Sequence, residues 1–103
     1  MRMDKLYAEL EKTGYPVAYS HFNKPVKPPF ICYFVGSMPN IASDYIVHKK
    51  RYSVAVELYT NKKDLDAEQR LEAALSEHGI TYEPSFTYIK EENLFQARYE
   101  FII

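Results

Sequence analysis

Three histidines, one cysteine and two carboxylate pairs are the side chains of this sequence best suited to chemistry. His21, His48 and His78 lie in separate stretches, "SHF", "VHKKR" and "SEHG". None has the HxxxH or His-to-carboxylate spacing that turns two donors toward one metal ion. No metal site is expected. His78 precedes Gly79, where a cation meets the negative end of a helix dipole, and that placement accounts for it without catalysis. Ser20 and His21 are neighbours, but successive residues on a strand point to opposite faces, so they are not expected to act as nucleophile and base. Asp64 and Asp66 sit at a helix start and Glu91 and Glu92 in a turn, both ordinary solvated positions for acids. Cys32, inside "FICYFV", reads as a small buried thiol. With three glycines there is no GxGxxG, no P-loop and no nucleophile elbow. The expectation is a protein that is not an enzyme and carries no cofactor.

Two short motifs could instead make contacts. "HKKRY" at 48–52 is the one basic cluster, and Lys49, Lys50 and Arg51 form a candidate contact patch for nucleic acid, with Tyr45, Tyr52 and Tyr59 as stacking partners. The competing reading is a charged strand edge that discourages sheet-to-sheet aggregation. "PVKP" is a formal PxxP motif, but it runs directly into an apolar strand instead of lying in a disordered segment. A net charge of -1 gives no general attraction to nucleic acid or to an anionic membrane. No apolar run approaches the roughly 20 residues that span a bilayer, and "MRMDKLYAEL" has acids where a signal peptide is apolar. The product is expected to stay in the cytoplasm where it is made, with no membrane partner.

The elements that must position these residues follow from periodicity. The 103 residues suit one domain and are too few for two. Met3, Leu6, Tyr7 and Leu10 share one face of a helix about three turns long, which Gly14 and Pro16 end. "PVAYSHF" reads as a short strand. Pro25, Pro28 and Pro29 then hold the chain extended into "FICYFV", which is apolar at both parities: Phe30, Cys32 and Phe34 on one side, Ile31, Tyr33 and Val35 on the other. "GSMPNIASD" is a loop. Tyr52, Val54, Val56 and Leu58 alternate with Ser53, Ala55, Glu57 and Tyr59 along a third strand. "KKDLDAEQRLEAALSEHG" is the second helix, with Asp64 as N-cap, Gly79 as C-cap, an Asp66 to Arg70 pair, and Ala67, Leu71, Ala74, Leu75 and His78 on one face. "ITYEPSFTYIK" and "LFQARYEFII" form a terminal antiparallel hairpin, with Phe95, Ala97, Tyr99, Phe101 and Ile103 toward the core and Pro84 marking an edge or a bulge.

The resulting fold is α+β: a mainly antiparallel sheet of about five strands with two helices on one face, in the order α-β-β-β-α-β-β. Two short helices cover one face only, yet "FICYFV" is apolar on both. Either the loop at 36–43 or a second protein chain must cover the other face.

"LYAELEKTGYPVAYSHF", "KPPFICYFV", "KRYSVAVELYTNKKD", the acidic helix closed by "HGI", and "FQARYEFII" together resemble the small tail-completion, or tail-terminator, proteins of long-tailed bacteriophages and prophages. The resemblance covers nearly the whole chain, 1–103. It implies a virion tail protein that forms a hexameric ring on the tail tube, stops its polymerisation and joins the head connector. DNA would pass through the ring without its sequence being read. On this reading Ile31, Tyr33, Val35, Ala55 and Tyr59 are the expected part-apolar subunit or tube interface. Gly36, Ser37, Met38, Pro39 and Asn40 begin the expected docking loop.

Overall fold

The computed structural model describes residues 3–37 and 51–103. A 3-10 turn at Met3–Lys5 leads into α1 (Leu6–Glu11), then β1 (Val17–Tyr19), β2 (Phe30–Ser37), β3 (Tyr52–Thr60), α2 (Leu65–Ser76), β4 (Glu83–Ile89) and β5 (Leu94–Ile102). The strands form one sheet in the order β1-β2-β3-β5-β4, in which only the β1 to β2 pairing is parallel. This is the α+β arrangement expected from the periodicities, with the elements in the expected order.

Register decides which face is the core. Ile31 stands opposite Leu58, Tyr33 opposite Val56 and Val35 opposite Val54. The same rows continue into Ala97, Tyr99 and Phe101. Paired residues point to the same side of a sheet. These rows meet Leu6 and Leu10 of α1 and Ala67, Leu71 and Leu75 of α2 in one buried cluster. Each fully buried leucine contributes about 1.5–3 kcal/mol of apolar burial. Tyr99 is the largest fully buried side chain among the described residues, and its hydroxyl donates to Glu72 Oε2 at 2.7 Å. Burial first, and that bond second, raise the phenol's pKa far above its usual value, so it remains a donor.

Helix boundaries follow local chemistry. The Asp64 side chain accepts from the Ala67 N–H at 3.0 Å, filling the N-cap role, and Asp66 pairs with Arg70 at 3.6 Å. Gly79 turns the chain out with φ +68, which a side chain would oppose. The first helix is shorter than its pattern suggests. Its α-helical part has six residues, and Tyr7 is exposed while Leu6 and Leu10 are buried. Four apolar residues at helical spacing satisfy a three-turn pattern, but the opening turn here is 3-10, which rotates the stripe.

His78 lies beyond α2, which ends at Ser76, so it is not part of the helix's apolar face. It reaches α1 instead. Its Nε2 lies 2.9 Å from Glu9 Oε2, while Lys12 Nζ lies 3.0 Å from Glu9 Oε1. The Lys12 hydrogen bond, then that of His78, hold the Glu9 carboxyl below its usual range. A carboxyl with a depressed folded pKa stabilises the fold above its unfolded pKa, and that stability is lost as pH falls through the folded value. Glu9→Gln is therefore expected to be less stable than the parent at pH 7 and closer to it well below about pH 4, the ordinary carboxyl range, in urea titrations at the two pH values.

Candidate interaction surface

The face of the sheet away from the helices carries Phe30, Cys32 and Phe34 of β2, Ser53, Ala55, Glu57 and Tyr59 of β3, and Gln96, Arg98, Glu100 and Ile102 of β5. Its centre is a charged network laid over apolar strands. Glu57, 6% exposed, accepts from the Tyr59 hydroxyl at 2.5 Å and from Arg98 Nη1. Arg98 Nε also donates to Glu100 at 2.7 Å, and Gln96 Nε2 donates to the Tyr59 hydroxyl at 3.0 Å. Both Glu57 oxygens thus have donors, which is the condition for keeping a carboxylate out of water. Burial, then the bond to Glu57, pushes the Tyr59 phenol well above its usual pKa. Aromatic contacts close one end: Phe30 stacks on Tyr59 with ring centroids 5.0 Å apart, and Phe22 meets Phe30 edge-on at 5.6 Å.

The expected interface residues divide between two faces. Ile31, Tyr33 and Val35 point to the helices, with Ile31 fully buried and the other two packed against the core. They are not an open surface. "FICYFV" is apolar at both parities, so its own pattern could not choose the covered side; the pairing with Leu58, Val56 and Val54 does. Ala55 and Tyr59 do lie on the other face, but Ala55 is only 7% exposed, a small side chain in the ladder between Phe34 and Glu100. Tyr59 is half-buried beneath Phe30. Tyr33 touches Tyr19 edge-on at 5.2 Å and Tyr7 at 6.4 Å. Tyr33→Asp is thus expected to act on folding, lowering stability by about 3 kcal/mol in urea denaturation by placing a carboxylate beside the core.

Gly36 is exposed at the end of β2, and Ser37 is its last residue; Met38, Pro39 and Asn40 of the expected docking loop lie outside the described residues. Arg51 is exposed immediately before β3, while Lys49 and Lys50 lie outside the described residues. Ser20 and His21 differ from expectation. Ser20 lies past the end of β1 with φ +69, which breaks the alternation and brings its Oγ within 3.2 Å of His21 Nδ1. The contact is local to a turn.

The sheet margins were not anticipated as surfaces. β4 is an outer strand of seven residues, six exposed and one half-buried, and Phe86 and Tyr88 are 52% and 47% exposed. Lys63 Nζ sits 4.1 Å from the Phe86 ring centre. Pro84 was the available sign, since proline is tolerated at an outer strand. The opposite margin is closed differently. β1 covers β2 only from Ile31 to Tyr33, and the Tyr19 hydroxyl then takes the place of a further residue, accepting from the Val35 N–H and donating to its carbonyl, both at 3.3 Å.

Cys32 is 5% exposed, and burial, followed by the nearby Glu57 charge, raises its thiol pKa. Among the described residues no group of three or more His, Cys, Asp or Glu is placed to hold a metal ion. Among them, no helix is long and apolar enough to cross a membrane. No protein-family model matches the chain, and no curated protein matches it.

Proposed function

We propose that this chain is a tail-completion subunit of a long-tailed bacteriophage or prophage, which associates into a ring, caps the tail tube and offers the surface that joins the head. The resemblance in sequence suggests the class. The observation that supports self-association is β4. Its stretch "PSFTYI", residues 84–89, is uncharged, contains two exposed aromatics and forms the outer strand of the sheet. Proteins that remain monomeric protect such a margin with charges, bulges or a covering element. Here Pro84 is the one blunting feature within that stretch.

The mechanism is geometric. A ring on the growing end occupies the surface where the next tube subunit would bind, so polymerisation stops there. The reading needs no catalytic group, and hexameric closure is what the resemblance implies. Tubes grown from a phage tail-tube protein should become shorter as the protein is added, and light scattering should show it associating on them. A chain that remains monomeric at every concentration and leaves tube length unchanged would sink the proposal.

A further inference from the structure

Among the described residues, five of the six exposed large apolar side chains gather at the two lateral margins of the sheet, the sixth being Ile102 at the end of the inner strand β5. Tyr7 and Tyr19 stand at the β1 margin, 43% and 51% exposed. Phe86 and Tyr88 stand at the β4 margin, where Leu65, 62% exposed, begins the helix that follows Lys63. Register places Tyr19 and Phe86 on the same side. Tyr19 pairs with Tyr33, whose row runs through Val56 and Tyr99 to Pro84, two residues from Phe86.

The margins also differ in charge. From residue 13 to residue 43 the sequence has no Asp or Glu, and the segment after β1 carries exposed His21, Lys24 and Lys27. Residues 83–93 carry Glu83, Glu91 and Glu92 against Lys90. The two sets share one end of the sheet. Lys24 and Lys27 precede Phe30, and the row of Phe30 runs through Tyr59 and Gln96 to Thr87, just before the turn that holds Glu91 and Glu92.

We propose that the partner of each margin is the opposite margin of a second copy of this chain. Copies standing side by side in the same orientation bring Phe86 and Tyr88 toward Tyr7 and Tyr19, and Glu91 and Glu92 toward Lys24 and Lys27. The contact is head to tail, the type that closes into a ring or runs on as a helix. The sheet's own twist supplies a rotation at each step. Because the Tyr19 hydroxyl already satisfies Val35, the β1 margin receives its neighbour through side chains more than through ladder hydrogen bonds. This inference rests on the ring reading and assigns its interface.

Two variants test it together: Lys24→Glu with Lys27→Glu, and Glu91→Lys with Glu92→Lys. Every position is exposed, so folding should be preserved and circular dichroism should match the parent. Each variant alone sets like charges against like, and its self-association on tubes should fall at least about 10-fold. An equimolar mixture should recover assembly, because alternating copies restore opposite charges at every contact. Loss in each variant alone, together with recovery on mixing, is the result that contact between the two different margins produces. Parent-like assembly of both variants would overturn this interface and leave the ring reading standing, whereas a complex that stops at a dimer and responds only to the Glu91 and Glu92 changes would overturn the interface and the ring together. Failure of the parent chain itself to associate, with or without tubes, would remove both.

Discussion

Phe86→Asp is expected to weaken self-association by about 100-fold or more while changing monomer stability by less than about 1 kcal/mol. The two effects separate because of where the side chain lies. Phe86 is 52% exposed in the lone chain, so little burial is lost on replacement, and the Lys63 contact passes from a ring to a carboxylate. In the proposed assembly the same position would lie at the centre of "PSFTYI", where the carboxylate would have to be desolvated with only the exposed Lys63 beside it. Aromatic side chains at interface centres are also the commonest energetic anchors. Light scattering against concentration reads the first effect and urea denaturation the second. A large loss of stability with association intact would assign Phe86 to the protein's own core.

Arg98→Ala is expected to destabilise the fold by about 3 kcal/mol, whereas Glu57→Leu combined with Arg98→Met should cost much less. The asymmetry comes from desolvation. The Glu57 side chain is 8% exposed and depends on Arg98 and Tyr59 for donors, so losing the guanidinium leaves a carboxylate in an apolar sheet with one hydroxyl. The figure lies at the low end for a buried pair because Arg98 itself is 35% exposed. Removing both charges leaves an apolar patch beside Phe30, Cys32 and Phe34, in which the Tyr59 hydroxyl loses its acceptor but still accepts from Gln96. Equal losses in the single and double variants would show that packing, and not the stranded charge, sets the cost.

The fold was legible where a pattern had one solution. β3 alternates Val54, Val56 and Leu58 with Ser53, Ala55, Glu57 and Tyr59, so the larger aliphatic row marks its core face. Asp64 and Gly79 bound α2 through a side-chain bond and a left-handed turn that few other residues offer. The surface was less legible because its residues are ambiguous in isolation. Ile31, Tyr33 and Val35 could face either way until Leu58, Val56 and Val54 chose their side from 19 to 27 positions away in the pairing register. Glu57 and Arg98 meet across adjacent strands, a proximity that no local pattern announces. Ser20 and His21 came together because a positive φ suspended the alternation on which their separation was argued. Pro84 did mark the outer strand, and it was the chemistry of the two aromatics beyond it that gave the margin its meaning.

Electron microscopy of tail-tube ends, with and without this protein, tests the central claim most directly. The account predicts rings of identical subunits seated on the tube ends when the protein is present, joined side by side at the β1 and β4 margins, and plain ends when it is absent. Ends that remain plain at saturating protein would contradict it.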